Sequence, residues 1–207
     1  ECYAIYCDGN LYHYPNSLDL TETWEYTCHF EDRDVEYAQI WCNGKSLTET
    51  CPEDLKEDWE KVLAQAKAFL TSFRKAKVSL NDVCFYDLVP KRFLIDYCRI
   101  KSEITKHVFE NYKKPKNYDF YLDLIKLTNK IGSQNLNLDL DKLSMGNTIQ
   151  RNLKTKLSKA NRKIIYNPWG SVTGRLTTKP SSFPILTLNK DYRNILKPKN
   201  DWFIELD

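Results

Sequence analysis

Several features are scarce or absent in this sequence. It has no apolar run of about 18 residues or more, so we expect no transmembrane helix. It has no Cys-x-x-Cys pair, and its three histidines do not cluster with its seven cysteines, so we expect no zinc site. The odd number of cysteines favours reduced thiols and hence a cytoplasmic location.

Methionine is also scarce, since Met145 is the only one, and residue 1 is Glu. The last residue, Asp207, falls inside an apolar alternating segment. These features predict a fragment truncated at both ends. The 207 residues, of which 42% are hydrophobic and 13% aromatic, are nevertheless enough for one or two domains with a buried core.

The formal net charge of +3 conceals a strong asymmetry along the chain. Residues 1–60 carry 3 basic and 15 acidic side chains, whereas residues 142–200 carry 13 basic side chains and one acidic side chain. Charge segregated in this way indicates a polyanion, such as nucleic acid, as the partner of the C-terminal third. The alternative is a basic surface that only faces solvent.

The hydrophobic pattern predicts an α+β fold with an acidic N-terminal β/α region and a helical middle. Residues 3–6 and 11–14 are predicted to form a hairpin around Asp8-Gly9-Asn10, and residues 37–42 a further strand. No helical period is visible in residues 1–42.

Four helices are predicted after residue 50. Thr50 and Glu53 match a capping box at the start of the first helix, whose apolar stripe continues to Phe73. The second begins near Pro90 and must end before Pro115. The third covers residues 117–131, with Gly132 at its C-terminal end. The fourth covers residues 142–163 and combines a narrow apolar line with heavily basic faces.

The segment from Tyr166 to Asp207 is the most informative one. Residues 173–178 read Thr-Gly-Arg-Leu-Thr-Thr, and a loop with Pro180 and Pro184 follows. From Trp202 the side chains alternate as in a strand, which places Trp202, Ile204 and Leu206 on one face and Phe203, Glu205 and Asp207 on the other. An aspartate at a strand end can present its carboxylate to a metal ion. It can equally be a solvated acidic residue.

This order of motifs closely resembles the start of the palm domain in family A DNA polymerases, especially phage-type ones. The resemblance covers about forty residues. It implies that Asp207 is the catalytic aspartate of motif A and binds Mg²⁺ in a two-metal site. It also implies that the turn lies along primer–template DNA, with Gly174, Arg175, Thr177, Thr178, Lys179 and Arg193 as DNA-binding residues. Arg175 would donate into the minor groove, and the threonines would contact phosphates.

The sequence also departs from that family. The motifs that supply the second aspartate and handle the incoming deoxynucleoside triphosphate are not found, so we expect no activity from this chain alone. Leu138-Asp139 resembles the short segment that opens the polymerase domain, which in that family a long helical thumb separates from the Thr-Gly-Arg-Leu turn. Here only 33 residues separate Asp139 from Thr173, which leaves little room for such a thumb. We therefore expect an N-terminal region over residues 1–135, either exonuclease-like and degenerate or thumb-like, and the start of the polymerase domain over residues 136–207.

Proofreading is not expected, because Asp8 lacks the paired glutamate of an exonuclease and only residues 81–87 loosely match its second motif. Two alternatives to a polymerase fragment stay open, a non-catalytic nucleic-acid-binding protein and one half of a split polymerase. The resemblance places the protein in the cytoplasm of a phage-infected bacterial cell. It does not identify a processivity partner.

Overall fold

The computed structural model of the chain describes residues 4–6, 9–12, 20–30, 33–80, 82–143 and 148–203. Contacts divide the chain into two compact units, which we call the N-terminal unit (Glu1–Tyr118) and the C-terminal unit (Asp119–Asp207). The boundary expected between residues 135 and 136 stays a prediction. In the described part of the chain, no helix combines the length and the apolar character that crossing a membrane demands.

The N-terminal unit combines a small parallel sheet with helices. Its elements are β1 (Glu22–Thr23), β2 (Glu36–Tyr37), α1 (Ala38–Trp41), α2 (Leu47–Thr50), α3 (Lys56–Lys75), α4 (Phe85–Leu88) and α5 (Lys91–Asn111), with 3₁₀ turns at Cys28–Phe30 and Glu53–Leu55. Strand β1 pairs with β2 in parallel, with Thr23 opposite Tyr37. The mixture of helices and short strands confirms the α+β class in this general sense.

The core of this unit lies between α3 and α5, which pack against each other. Trp59 and Val62 of α3 are buried, as are Phe93, Ile100 and Ile104 of α5. These positions recur at the helical spacing that the sequence shows. Both helices are therefore confirmed, and Pro90 takes the N-cap position of α5, where its missing N–H costs no helical hydrogen bond.

One prediction for residues 1–42 is wrong. Residues 37–42 form the end of β2 and then the single-turn helix α1, not a continuous strand. Ala38, Ile40 and Cys42 are all buried, so their alternation resembles that of a strand, and one helical turn is too short to reveal its period. The expected hairpin stays a prediction, because Ala4 forms a β-bridge while residues 3, 7–8 and 13–14 lie outside the described part.

The predicted capping box is also in the wrong place. Ser46 and Glu49, at the start of α2, form the box instead: the Ser46 hydroxyl accepts from the Glu49 amide, and the Glu49 carboxylate accepts from the Ser46 amide at 2.7 Å. Thr50 ends that helix, and its hydroxyl donates to the Ser46 carbonyl. Because two Ser/Thr-x-x-Glu patterns follow each other directly, the sequence alone did not distinguish them.

The C-terminal unit is built from short elements around its own core. They are α6 (Tyr118–Gly132), whose first residue belongs to the other unit, β3 (Asn137–Leu138), α7 (Thr148–Ser158), β4 (Tyr166–Asn167), β5 (Thr177–Thr178) and β6 (Leu196–Lys197), with 3₁₀ turns at Leu140–Leu143 and Lys190–Ile195. Two antiparallel pairs form, β3 with β6 and β4 with β5. The buried core consists of Leu143, Leu157, Phe183, Leu188 and Ile195.

The third predicted helix is confirmed as α6, but two other predictions for this unit need correction. Helix α7 is shorter than residues 142–163, because β-type pairing begins soon after it: the Leu136 amide donates to the Arg162 carbonyl at 2.8 Å. Trp202 and Phe203 do not begin a strand. Both are strongly exposed, at 83% and 66%, and no described residue pairs with them. Residues 204–207, including Asp207, lie outside the described part.

Candidate nucleic-acid interface

The Thr-Gly-Arg-Leu turn lies in a loop between two paired strands. Strands β4 and β5 are antiparallel, with Asn167 opposite Thr177, and residues 168–176 between them form what we call the hairpin loop. At the tip of this loop the Ser171 hydroxyl accepts from the Thr173 amide at 3.2 Å. The Ser171 carbonyl accepts from the Gly174 amide at 3.3 Å. These hydrogen bonds hold the turn in a defined shape.

Gly174 occupies a conformation that other residues adopt only with strain. Its φ is +73°, in the left-handed region, and apart from its chain neighbours no heavy atom of the described residues lies within 4 Å of the place where a Cβ would sit. The turn requires glycine for its backbone angle, and the space beside it is open. An open, side-chain-free backbone is what close approach to a duplex would use, but contact with DNA at this point stays a prediction.

Arg175 follows directly and has an exposed side chain. Among the residues that the structure describes, none forms a hydrogen bond or an ion pair with its guanidinium. Val172, at the tip of the same loop, is also fully exposed. The guanidinium is therefore available to an external acceptor.

Thr177 has a second, structural role that the sequence did not reveal. Its hydroxyl donates to the Asn167 carbonyl at 3.3 Å, and both Thr177 and Thr178 are half-buried in β5. Gly170 lies so close that a Cβ built there would be 1.8 Å from Thr177 Oγ1. The hydroxyl proton of Thr177 is thus already used within the hairpin, and because phosphate oxygens only accept, the expected phosphate contact of Thr177 would require this hydrogen bond to break.

Aromatic packing next to this hairpin was not expected from the sequence either. Trp169 stacks on Tyr121 of α6, with ring centroids 4.4 Å apart and planes inclined by 26°. Such a stacked pair adds to the stability that area burial alone gives. The sequence offers one signal for this position: Pro168 and Gly170, on either side of Trp169, indicate a turn.

The other two predicted DNA-binding residues differ from each other. Lys179 has an exposed side chain, while its amide donates to the Ile165 carbonyl at 2.9 Å and extends the β4–β5 pairing. Arg193 instead uses Nε to donate to the Leu188 carbonyl at 3.2 Å. Part of the Arg193 guanidinium therefore stabilises the core segment 183–195.

The thirteen basic residues of the segment 142–200 can be sorted by their partners. Four of them contact the protein itself through their side chains, namely Lys142 with the Asn194 carbonyl at 2.8 Å, Lys154 with Asp141 at 2.9 Å, Arg193 with the Leu188 carbonyl, and Lys197 with Asp139 at 2.8 Å. The other nine have no side-chain partner among the described residues: Arg151, Lys156, Lys159, Arg162, Lys163, Arg175, Lys179, Lys190 and Lys199. We call these nine the unpaired basic set.

Asp139 illustrates the structural use of charge in this unit. It lies next to β3, its amide donates to the Ile195 carbonyl at 2.8 Å, and its carboxylate accepts from Lys197 of β6. The hydrogen bond from Lys197 lowers the pKa of the Asp139 carboxyl below its usual range. The ion pair between Asp139 and Lys197 therefore adds a side-chain contact to the backbone pairing of β3 with β6.

The predicted metal ligand cannot be placed relative to these residues, because Asp207 and its neighbour Glu205 lie outside the described part. Within the described part, no group of three or more His, Cys, Asp or Glu side chains is arranged to hold a metal ion. Binding of Mg²⁺ therefore stays a prediction.

In the loose match to an exonuclease motif over residues 81–87, the Asp87 carboxylate contacts another part of the N-terminal unit. This carboxylate accepts from the Tyr6 hydroxyl at 2.6 Å, and Tyr6 also contacts Cys84 Sγ at 3.2 Å. Burial and the hydrogen bond to Asp87 raise the pKa of Tyr6. Asp8 and Asn81 lie outside the described residues. The Asp87 carboxylate thus has a structural partner in the N-terminal unit.

Comparison with known proteins supplies no relative for this geometry. No protein family, curated protein or solved structure matches the chain. The functional assignment therefore depends on the residues of the hairpin loop, the segment that follows it and the unpaired basic set.

Proposed function

We propose that this chain is part of a template-directed DNA polymerase of the family A type, and that its C-terminal unit binds primer–template duplex. The observation that carries the proposal is the exposed Arg175 next to Gly174, in an ordered loop with open space beside the backbone. The sequence motif and this local geometry both suit a loop that contacts nucleic acid.

The chemistry of Arg175 fits recognition of base pairs without recognition of sequence. All Watson–Crick pairs present hydrogen-bond acceptors at similar positions in the minor groove. One guanidinium that donates to such an acceptor responds to the shape of the pair rather than to its identity. A polymerase needs this kind of contact at the primer end, because it must accept every correct pair and disfavour mispairs.

The unpaired basic set would supply the sequence-independent part of the affinity. Lysine and arginine side chains that neutralise phosphates release counterions from DNA, which makes binding strongly dependent on salt. Only side chains without a protein partner can do so at no internal cost. We therefore expect the slope of the salt dependence to reflect members of the nine-residue set and not all thirteen basic residues.

Catalysis would depend on Asp207 and on residues beyond this sequence. In two-metal nucleotidyl transfer, one Mg²⁺ activates the primer 3′ hydroxyl and the other binds the triphosphate. Magnesium prefers oxygen ligands, and Asp207 would supply one carboxylate. A second carboxylate motif is needed to complete the site.

A salt titration of primer–template binding tests the DNA-binding part of the proposal. Each phosphate contact contributes about −0.9 to the slope of log K against log salt on duplex DNA. Lys179→Met should make the slope shallower by roughly that amount, whereas Lys197→Met, which removes the same charge from a residue paired with Asp139, should change it little. A slope near zero for the unaltered chain, or equal effects of the two variants, would contradict the proposal.

Primer extension tests the catalytic part. The 207-residue chain alone should not extend a primer. When the missing motifs are supplied, Asp207→Asn should abolish extension, since an amide cannot hold the two cations, and should leave DNA binding nearly unchanged. Arg175→Ala should slow extension about ten- to a hundredfold, because it removes a charge-assisted hydrogen bond worth roughly 1–3 kcal/mol.

Primer extension also distinguishes the catalytic role of Asp207 from the minor-groove role of Arg175, and a polymerase from a non-catalytic nucleic-acid-binding protein. Single-turnover extension from matched and mismatched primers should show that Arg175→Ala loses selectivity as well as rate. Equal slowing at both primer ends would contradict the minor-groove role. DNA binding without any extension in the completed protein would favour a non-catalytic nucleic-acid-binding protein.

A further inference from the structure

The N-terminal unit contains a solvent-open cavity of about 300 Å³. None of the residues that line it is among the proposed DNA-binding residues. Its lining comes from segments that are distant in sequence, including residues 4–6, the β1 region and one face of α5. A volume of this size is at the lower end of the range for small-molecule sites.

The walls of the cavity are largely aromatic. Tyr6, Trp24, Tyr86 and Tyr97 all line it. The rings of Tyr6 and Tyr86 meet edge to face at 5.5 Å, and those of Tyr86 and Tyr97 lie 6.1 Å apart. Burial raises the pKa of Tyr86 and Tyr97, so both phenols stay protonated and uncharged. The walls thus offer neutral π-systems and hydroxyl groups.

The charged groups of the lining are two carboxylates and one ammonium, which leaves a net charge of −1. Glu22 and Glu25 are exposed, and Lys101 of α5 is half-buried. None of the three forms an ion pair with a described residue. Glu25 is close enough to the Tyr86 and Tyr97 hydroxyls to act on both electrostatically. The Glu25 carboxylate therefore lies beside the aromatic wall without an ion-pair partner among the described residues, and the lining as a whole carries more negative than positive charge.

We propose that this cavity binds a small organic cation, with an ammonium or guanidinium group held between the aromatic rings and Glu25. Aromatic faces attract cations through the ring quadrupole, and a carboxylate adds a charge-assisted hydrogen bond. The apolar part of the ligand would occupy the space next to Trp24 and Leu94. A neutral or anionic ligand of the same shape would leave Glu25 unbalanced.

Calorimetric titration of the full chain with three matched probes tests the charge requirement. The probes are 2-phenylethylammonium, the neutral 2-phenylethanol and the anionic 3-phenylpropanoate. The ammonium should bind saturably. The neutral and anionic probes should bind with affinities lower by about tenfold or more, since loss of one charge-assisted hydrogen bond corresponds to roughly tenfold in affinity. Equal binding of the three probes, or no saturable binding of the ammonium, would overturn the proposal.

Variants of the cavity charges provide the sharper test, because they should act in opposite directions. Glu25→Gln should weaken binding of the ammonium about tenfold. Lys101→Met keeps an unbranched side chain of similar size but removes the like charge, so it should strengthen that binding. Glu60→Gln, an exposed position on α3 that does not line the cavity, should have no effect. The proposal fails if Glu25→Gln and Glu60→Gln behave alike while circular dichroism shows that both are folded.

The cation could be a free amine or a side chain of another protein, and one additional probe separates these sources. Nα-acetyl-lysine amide carries the same ammonium on a peptide-like backbone. Tighter binding of this probe than of 2-phenylethylammonium would indicate a lysine side chain of a partner, and weaker binding would indicate a free amine. Failure of both would again overturn the proposal, and neither result depends on DNA binding.

Discussion

Gly170 and Gly174 belong to the same loop, yet the structure predicts that alanine is destabilising at each of them for a different reason. At Gly170 the added Cβ would lie 1.8 Å from Thr177 Oγ1 and 3.0 Å from Thr177 Cβ. Rotation of the Thr177 side chain can remove the first clash only by breaking its hydrogen bond to the Asn167 carbonyl. Overpacking of this kind costs about 1–3 kcal/mol. At Gly174 no described residue other than its chain neighbours comes within 4 Å of an added Cβ, so the left-handed φ of +73° is what opposes alanine, at about 1–2 kcal/mol.

A double-mutant cycle separates the two causes. Thr177→Ala removes the closest clashing atom but leaves the contacts at 3.0 Å with the Cβ of residue 177 and with Asn167 Nδ2, so it should recover part of the loss caused by Gly170→Ala, with a coupling energy of roughly 0.5–3 kcal/mol. It should not recover the loss caused by Gly174→Ala. The measurement is the free energy of unfolding from urea denaturation of the full chain followed by circular dichroism. Additive effects of Gly170→Ala and Thr177→Ala would refute the close contact on which this reasoning depends.

Three further predictions concern the two cores and one ion pair. Phe183→Ala should lower the free energy of unfolding by about 3–5 kcal/mol, because this side chain is fully buried. Thr27→Val should raise it by about 1 kcal/mol, since Thr27 Oγ1 is buried without a partner in the described structure, whereas Thr105→Val should lower it because Thr105 donates to a helix carbonyl. Because the pKa of Asp139 is lowered in the folded state, this carboxylate should stabilise the fold above the usual aspartate pKa of about 4, and the stabilisation should be lost as the pH falls through the lower folded pKa. Urea denaturation midpoints measured across this pH window should show the loss. Lys197→Met should remove this pH dependence.

The long helices could be predicted from the sequence because their cores are formed by residues close along the chain. In α3 and α5 the buried positions repeat every three to four residues over many turns, and proline fixes the start of α5. The parallel pairing of β1 with β2 has no comparable local signal. Each strand has only two residues, and the partner is specified by contacts made elsewhere in the unit. Short elements such as α1 were therefore the ones assigned wrongly.

The candidate interface shows the same limit. The backbone conformation of Gly174 follows from a local motif, and it was predictable in kind. The contact between Gly170 and Thr177 depends on the register of β4 and β5, which the sequence did not reveal. The cavity next to Glu25 draws on residues up to about one hundred positions apart, so no motif could have indicated it.

Counting basic residues overstates the charge that the C-terminal unit can offer to DNA, and this has a measurable consequence. Asp191 is the only acidic residue in segment 142–200, so two of its basic side chains are held by backbone carbonyls, at Asn194 and Leu188, and two by acidic residues that precede the segment. Salt screens interactions between exposed charges far more than it weakens buried packing around Phe183. Salt that releases the duplex should therefore leave the unit folded. Circular dichroism recorded at each point of the salt titration would show this, and unfolding that coincides with DNA release would mean that the same charges carry both binding and stability.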